Sequence, residues 1–320
     1  MFNYAIMGAG GISAKFCDAV RRIPDCRVIA VSSKSFERAE AFAKREGIPA
    51  AYGSYTEMLE REKPDCVYIG ADTGSHFRLT MLCLERGVPV LCEKAMFCSS
   101  EDAKVAIEKA NKSGVFMMEA MWSYFLPAIK TAKSWIDGGR IGRVYRSECA
   151  LGFKASDHPG NRYFNTALGG GAAYDLGVYA YDLTTLMLGH DYEEISVSVL
   201  KHESGVDAFD QFTARYKDCI SSMTASIIGP LEERLILYGE KGRIIVPSSH
   251  FASRAILLDE KGNIGDEFID RKTENGFVYE VKEAMDCVLA GKTESETVPH
   301  RLTLEAAGIY DIVNEKLRKM

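Results

Sequence analysis

Short apolar runs alternate with amphipathic segments along the first third of the chain. The predicted strands are residues 3–7, 27–31, 66–70, 88–92 and 115–118. The predicted helices are residues 12–23, 36–45, 76–86 and 100–112. Ser99 or Ser100 is the expected N-cap of the last helix, and Gly114 follows its end. Strands separated by helices predict a parallel sheet that is covered on both faces.

The pattern changes after about residue 120. A strand at 144–153 and a series of alternating strands at 195–246 are predicted, with hairpin turns at 217–218 and 240–242. Further helices are predicted at residues 127–137, 172–188, 278–290 and 301–319. The sequence therefore predicts an α/β protein with two domains. Residues 1–120 form a doubly wound parallel sheet, and residues 121–320 form an α/β domain with a large, open, mostly antiparallel sheet.

One face of this second sheet is mixed in character, because Leu200 and Ile228 accompany serine and threonine side chains there. Its predicted polar members are Ser196, Ser198, Ser222 and Thr224. An open sheet with such a face is a candidate subunit interface. We expect a homodimer or homotetramer that is built on it.

Charge and composition exclude several classes of protein. The 320 residues include 39 basic and 45 acidic side chains, which gives a net charge of −6 and no general attraction to nucleic acid or anionic membrane. No run approaches the ~18 apolar residues of a membrane span, and residues 1–7 lack the pattern of a signal peptide. The nine cysteines form no C-x-x-C pair and the histidines show no ligand spacing, so we expect reduced thiols, a cytoplasmic location and no metal.

A glycine-rich turn lies where the first strand meets the first helix. Gly8, Gly10, Gly11, Ile12 and Ser13 form a G-x-G-x-x-S pattern. The first glycine allows the tight turn, the second lets a pyrophosphate approach the helix N-terminus, and the small serine lets the helix pack on the strand. The position of this motif in a β/α pattern predicts a dinucleotide site. The alternative is a glycine turn that binds nothing.

The end of the second strand predicts which dinucleotide binds. An enzyme specific for NAD usually has Asp or Glu there, to bind the ribose 2′-hydroxyl. Here Ser33 and Lys34 follow the strand, and no acid occurs before Glu37. A serine hydroxyl and a lysine ammonium suit a 2′-phosphate, which favours NADP. If Lys34 is only a solvated loop residue, either cofactor serves.

Two further patterns carry candidate chemistry. Lys94 follows a predicted strand, where its ammonium would polarise a carbonyl or donate to a hydroxyl oxygen. Asp175, Tyr179 and Asp182 share one face of a predicted helix that follows three glycines. A tyrosine near a cation serves as a general acid or base. The alternatives are an ordinary loop lysine, and a buried tyrosine beside carboxylates that cap the helix or face solvent.

Taken together, these motifs resemble the Gfo/Idh/MocA family of NAD(P)-dependent sugar and polyol oxidoreductases. The resemblance covers essentially the whole chain and rests on Gly8–Ser13, Glu93-Lys94, the segment Glu119-Ala120-Met121-Trp122, and the glycine run with Asp175 and Tyr179. The chain is most similar to the branch of dimeric dihydrodiol dehydrogenases and NADP-dependent xylose dehydrogenases. The resemblance implies a Rossmann domain, followed by a domain whose open sheet often forms a subunit interface.

The resemblance also implies the roles of single residues. The implied catalytic residues are Lys94, Tyr179 and Asp175. Beyond the glycine loop, Ser33 and Lys34, the implied cofactor residues are Ala71, Thr73, His76, Glu93, Lys94 and Trp122. The implied substrate residues are Arg162, Asn165, Asp175, Tyr179 and Asp182. For His76 a structural, hydrogen-bonded histidine is the alternative, and for Trp122 a place in the core.

The chain departs from the family pattern at Ala95 and Asp72, where relatives have proline, and at Ser123-Tyr124, where relatives often have an arginine. These changes leave the substrate open. We expect hydride transfer between NADP(H) and a sugar, polyol or vicinal diol, with Tyr179 or Lys94 as the proton donor and Lys94 stabilising the oxyanion. The rival functions are a redox-neutral, glycosidase-like enzyme with a tightly bound dinucleotide, and a non-catalytic NADP-binding sensor.

Overall fold

The computed structural model describes residues 1–156, 158 and 160–320. The chain divides into two compact units. Unit 1 comprises Met1–Trp122 and Asn275–Gly308, and unit 2 comprises Ser123–Glu274 and Ile309–Met320. Among the described residues, no helix has the length and apolar character that a membrane crossing needs.

Unit 1 is built on a six-stranded parallel sheet. Its strands are β1 (Phe2–Met7), β2 (Cys26–Ser32), β3 (Ala50–Tyr52), β4 (Cys66–Ile69), β5 (Val90–Glu93) and β6 (Met117–Ala120). The strand order is β3-β2-β1-β4-β5-β6. The chain therefore adds β2 and β3 on one side of β1, and then β4, β5 and β6 on the other side. In such a sheet, ligands bind beyond the carboxyl ends of the strands at this switch point.

Six helices belong to unit 1, and a seventh contributes residues to both units. They are α1 (Gly11–Arg21), α2 (Phe36–Glu46), α3 (Tyr55–Glu62), α4 (Thr73–Leu84), α5 (Ser100–Ser113), α8 (Phe277–Leu289) and α9 (His300–Lys319). The predicted cap of α5 is confirmed at Ser99, whose hydroxyl accepts from the Asp102 N–H at 3.2 Å. Helix α8 is tied to β1, because the Tyr4 hydroxyl donates to the Val281 carbonyl at 2.9 Å.

Unit 2 contains an eight-stranded sheet. Its strands are β7 (Val144–Gly152), β8 (Glu194–Lys201), β9 (Asp207–Arg215), β10 (Ile220–Ser226), β11 (Arg234–Gly239), β12 (Gly242–Pro247), β13 (Arg254–Asp259) and β14 (Ile264–Ile269). The order is β14-β13-β12-β11-β7-β10-β9-β8, and the pairing is antiparallel except between β7 and β10. The predicted fold class is confirmed in both units.

Two helices cover one face of the second sheet, α6 (Pro127–Asp137) and α7 (Val178–Leu188). Apolar side chains of this sheet such as Val197, Phe212 and Met223 are buried. On the other face, Leu200 is 57% and Ile228 is 44% exposed. The sheet is therefore open on the side that the sequence predicts.

The helix predicted at 172–188 is not a single α-helix. Residues Ala173–Gly177 form a π-helical turn, and the α-helix α7 begins only at Val178. A π-turn adds a residue to one turn of the helix. Residues before the turn and residues after it therefore do not share a face at the spacing of a continuous α-helix. Such turns occur often at functional sites.

Candidate functional site

The glycine loop of unit 1 is packed tightly against the end of β4. Gly8 has a φ of +112°, and a Cβ atom there would overlap the carbonyl oxygen of Gly70. Ser13 is buried, and its hydroxyl donates to the Gly8 carbonyl at 2.6 Å. A Cβ at Gly70 would in turn lie 2.6 Å from the Ser13 Oγ. The small residues of the motif therefore set how closely the loop, α1 and β4 approach one another.

The two glycines at the start of α1 face open space instead. A Cβ atom at Gly10 or Gly11 would meet nothing within 4 Å. Gly10 is the N-cap of α1 and, as a glycine, has no side chain to cap the first backbone N–H groups of the helix. An open, uncapped helix N-terminus after a glycine loop fits the pyrophosphate of a dinucleotide. Ile12 lies in the first turn of this helix.

Ser33 and Lys34, which are predicted to determine the preference for NADP, lie just beyond β2. Ser33 is buried, and its N–H donates to the Tyr52 carbonyl at 3.1 Å. Lys34 reaches instead to the start of α4, where its Nζ lies 3.4 Å from Asp72 Oδ2 and 3.3 Å from Ser75 Oγ. Asp72 is the N-cap residue of α4. The lysine therefore lies beside the carboxylate of Asp72.

The segment that carries Lys94 begins with a buried carboxyl group. Glu93 accepts a hydrogen bond from the Tyr68 hydroxyl at 2.6 Å. Burial raises the pKa of Glu93, while the Tyr68 hydrogen bond and the charge of Lys94 act in the opposite direction. Lys94 is half-buried, and its peptide bond to Ala95 is cis.

The residues after Lys94 are held by two further side chains. The Met96 N–H donates to Glu119 Oε1 at 2.9 Å, so the glutamate of the E-A-M-W segment binds this loop. His76 Nδ1 lies 2.9 Å from the Ala95 carbonyl, and its Nε2 lies 3.2 Å from the Ala71 carbonyl. Burial lowers the pKa of His76, so the ring is neutral and has one N–H, which the shorter distance assigns to Nδ1. His76 on α4 therefore holds the Ala95 carbonyl in the segment after β5.

The remaining predicted cofactor residues of unit 1 lie at the start of α4 and just after β6. Thr73 is buried in the first turn of α4, and Ala71 precedes that helix. The Trp122 ring packs against Phe277, with 5.3 Å between ring centroids. This contact is the one expected if Trp122 belongs to the core, and its role in cofactor binding stays a prediction.

In unit 2, two of the predicted substrate residues, Arg162 and Asp175, form an ion pair beside the π-turn. Arg162 Nη2 lies 3.0 Å from Asp175 Oδ1, and the guanidinium also lies over the Tyr163 ring at 4.1 Å. Asn165 has a local structural contact, since its Oδ1 accepts from the Ala167 N–H at 3.0 Å. An arginine fixed by a carboxylate and an aromatic ring presents directed donors to the hydroxyl groups of a ligand.

Tyr179 has a neighbour that the sequence analysis did not select. Its ring lies 5.0 Å from the ring of His250, and His250 Nδ1 lies 2.6 Å from Glu233 Oε1. These partners are distant from Tyr179 in the sequence, and no local motif marks them. Glu233 precedes β11 and His250 follows β12. The antiparallel pairing of these two strands brings the two residues together.

Asp182, the third residue of the predicted helix face, is buried. It is 3% exposed, and its backbone carbonyl accepts from the Tyr124 hydroxyl at 2.8 Å. The π-turn between Ala173 and Gly177 is the physical reason that simple helical spacing does not describe this helix. A substrate contact for Asp182 stays a prediction.

Comparison with known proteins gives independent evidence on the family of this chain. Residues 2–121 match the model of the "Oxidoreductase family, NAD-binding Rossmann fold", and residues 129–245 match that of the "GFO/IDH/MocA C-terminal domain". A trans-1,2-dihydrobenzene-1,2-diol dehydrogenase of Bos taurus is 31% identical, over 98% of this chain and 95% of its own length. The chain belongs to the Gfo/Idh/MocA family. It is an NAD(P)-binding oxidoreductase, and the resemblance found in the sequence is confirmed.

Solved structures support the same fold over nearly the whole chain. The 3-ketoreductase KijD10 of Actinomadura kijaniata, in complex with NADP and TDP-benzene, has a TM-score of 0.88 at 21% identity, covering 98% of this chain and 97% of its own. The aldose-aldose oxidoreductase of Caulobacter crescentus, complexed with glycerol, has a TM-score of 0.88 at 20% identity, covering 99% and 98%. At these identities the likeness establishes the fold alone.

Proposed function

We propose that this oxidoreductase transfers a hydride between NADP(H) and a sugar, polyol or vicinal diol. The observation that carries the proposal is the open, uncapped start of α1 at Gly10 and Gly11, which fits the pyrophosphate of a dinucleotide. When bound, the nicotinamide supplies or accepts the hydride. The family relationship and the diol dehydrogenase relative support the substrate class, together with the hydroxyl-binding groups Arg162 and Asp175.

The preference for NADP rests on the end of β2. Ser33 and Lys34 offer a hydroxyl and an ammonium where an enzyme specific for NAD has a carboxylate. Asp72 lies within reach of the same ammonium, so it weakens the attraction of Lys34 for a 2′-phosphate without abolishing it.

Lys94 and Tyr179 have separate chemical tasks in this proposal. The Lys94 ammonium stabilises the oxygen that becomes negative as the hydride leaves or arrives. The Tyr179 hydroxyl exchanges a proton with the substrate, and Asp175 with Arg162 orients the substrate. Glu119 and His76 contribute by fixing the main chain of residues 95 and 96.

The test is a panel of aldoses, polyols, cyclic diols and diketones, followed by NADPH absorbance in both directions. We expect turnover with at least one member of the panel, and faster turnover with NADP(H) than with NAD(H). A hydrolysed glycoside without net NADPH change would favour the redox-neutral rival instead. Binding of NADPH with no reaction on any member would favour the sensor.

We also propose that the chain forms a homodimer or homotetramer through the open face of the unit 2 sheet, in the cytoplasm. Leu200 and Ile228 on that face are exposed large apolar residues, as is Ile220 on β10. Light scattering at micromolar concentration should give two or four times the mass of one chain. Leu200→Glu should give monomers, whereas Val105→Glu, at an exposed valine of α5, should leave the mass unchanged.

A further inference from the structure

Two buried aspartates lie side by side on β9 because the strand is irregular. In a regular strand, residues three apart point to opposite faces of the sheet. Here β8 and β9 change register, since Leu200 pairs with Phe209 and Lys201 pairs with Asp207. The extra residue brings Asp207 and Asp210 to the same side. They are 2% and 0% exposed, respectively.

Asp207 binds the start of the helix that carries the proposed substrate residues. Its Oδ2 accepts from the Ala173 N–H at 2.6 Å, and the Ala172 N–H also donates to this carboxyl group. Gly171 has a φ of +133°, and a Cβ atom there would overlap Asp207 Oδ1. The carboxyl group therefore lies directly against the backbone and acts as an N-cap from 34 residues away in the sequence.

Asp210 faces Asp207 and finds no donor among the described residues. Both of its carboxyl oxygens are buried, and the side-chain hydrogen bond that it forms is to Asp207. Two carboxylates cannot hydrogen-bond to each other unless one of them holds a proton. Asp207 receives backbone N–H bonds, which favour its charged form, so the proton belongs on Asp210.

We propose that Asp210 is a positioning residue: a neutral carboxylic acid that donates to the Asp207 carboxylate and so fixes the helix start that precedes Asp175 and Tyr179. This inference rests on the proposed roles of those two residues. Burial and the neighbouring Asp207 charge raise the pKa of Asp210 to about 10, which supports a neutral form at pH 7. Burial also raises the pKa of Asp207, but the Asp210 proton and the backbone donors act in the opposite direction and favour its charged form.

The first test compares an amide that keeps the donor with an alkyl group that removes it. Asp210→Asn places an NH₂ group against Asp207, whereas Asp210→Leu leaves that carboxylate without its partner. We expect Asp210→Asn to retain the wild-type hydrogen exchange of the Ala172 and Ala173 amides. In Asp210→Leu, loss of one hydrogen bond should speed their exchange about tenfold.

Kinetics should separate the same two variants. Asp210→Leu should lower kcat about tenfold through the displaced helix start, with the Kd for NADPH unchanged, and Asp210→Asn should restore kcat to within about twofold. Asp218→Asn, at an exposed aspartate of the β9–β10 turn, is the matched control and should change neither readout. Equal damage in the Asn and Leu variants would overturn the assignment of Asp210 as donor. Wild-type behaviour of both would reduce it to a packing residue.

Infrared spectroscopy tests the proton itself and remains decisive if Asp210→Leu does not fold. At pH 7 the wild-type protein should show the C=O stretch of a protonated carboxyl group that Asp210→Asn lacks. Identical carboxyl spectra would overturn the proposal. Neither this measurement nor amide exchange needs turnover. If no member of the substrate panel turns over while both behave as expected, the proposed function fails and the aspartate pair stands.

Discussion

The Lys34 ammonium lies 3.4 Å from the Asp72 carboxylate, across 38 residues of sequence. The lysine belongs to the segment after β2, and the aspartate occupies the N-cap position of α4, after β4. The lysine side chain is 61% exposed, so the contact is a weak surface ion pair. It nevertheless places a negative charge beside the group that would bind a 2′-phosphate.

Replacing Lys34 should affect NADPH and not NADH. Lys34→Ala removes a charged donor to the 2′-phosphate, an interaction of about 1.5–3 kcal/mol, so the KM for NADPH should rise about ten- to a hundredfold. The KM for NADH should stay nearly constant. Lys44→Ala, at an exposed lysine of α2, is the matched control. Equal use of NAD and NADP by the unmodified enzyme would contradict the proposed preference.

Neutralising Asp72 should have the opposite effect. Asp72→Asn keeps the shape of the cap and removes the charge that competes for Lys34. Because exposed pairs contribute about 0–1 kcal/mol, the Kd for NADPH should fall by up to about fivefold. Isothermal titration with NADPH and NADH measures the change. If Asp72→Asn binds NADPH more weakly, Asp72 assists the cofactor and does not compete with it.

The sequence predicts the frame of the site well, because its signals are local. The glycine turn at Gly8 lies next to the strand and helix that it joins, and the Ser99 cap lies three residues before its donor. Strand β3 and helix α3 were not predicted, because a three-residue strand and an eight-residue helix carry little periodicity. Strands β13 and β14 were also missed; β14 lies at the edge of the sheet and is mostly exposed.

The partners of the site residues could not be predicted in the same way. Glu233, His250, Asp207 and Asp210 meet their neighbours through strand pairing and a register change, and these depend on the whole sheet. The π-turn before α7 also changes which side chains share a face, although the underlying sequence has plain helical spacing. Such features depend on tertiary packing, which no short motif encodes.

Two glycines of the loop should affect different properties of the protein: Gly10 the binding of the cofactor, and Gly8 the stability of the fold. Gly10 has a φ of −108°, which any residue adopts, and its missing side chain faces open space. Gly10→Ala should therefore keep the melting temperature and weaken NADPH binding about ten- to a hundredfold, by blocking approach to the backbone N–H groups. Gly8→Ala should instead destabilise the fold by about 1–3 kcal/mol, because of its positive φ and its contact with Gly70.

Calorimetry and NADPH titration distinguish the two variants. Gly308→Ala, at an uncrowded glycine of α9, is the control and should leave NADPH binding unchanged. Normal NADPH affinity of a folded Gly10→Ala variant would contradict the assignment of the pyrophosphate to this loop.

Glu280 predicts a pH dependence of stability. Its side chain is 0% exposed on α8, and neither carboxyl oxygen has a hydrogen-bond partner among the described residues. Burial, then the charge of Glu93, raises the pKa of Glu280 well above its ordinary value of 4.5. Above pH 4.5 the unfolded chain loses a proton that the folded protein keeps, so the free energy of unfolding falls as the pH rises.

Glu280→Gln has no such proton to lose. Its free energy of unfolding should decline less steeply above pH 4.5, by up to about 1.4 kcal/mol per pH unit. Denaturant melts between pH 5 and pH 8, about the range of maximal stability for most proteins, provide the slope. Glu85→Gln, at an exposed glutamate, should follow the wild-type curve. A parallel curve for Glu280→Gln would mean that Glu280 is already ionised in the folded protein.

Lys94 and Tyr179 should be required for the chemical step and not for dinucleotide binding. Tyr179→Phe should lower kcat about 10²–10⁴-fold, the usual contribution of a general acid or base. Lys94→Met should cost at least as much, because it removes the charge that stabilises the oxyanion. Tyr181→Phe removes another buried hydroxyl of α7 and should remain active.

The most direct measurement follows the hydride itself. The enzyme is mixed with NADPH that carries deuterium at the hydrogen of nicotinamide C4 that is transferred, and with a panel of carbonyl compounds related to sugars and diols. The masses of the products are then measured by mass spectrometry. The account predicts a product alcohol that contains the deuterium, formed about 10²–10⁴-fold more slowly by Tyr179→Phe with the Kd for NADPH unchanged. Bound NADPH that gives deuterium to no member of the panel, or full transfer by Tyr179→Phe, would contradict it.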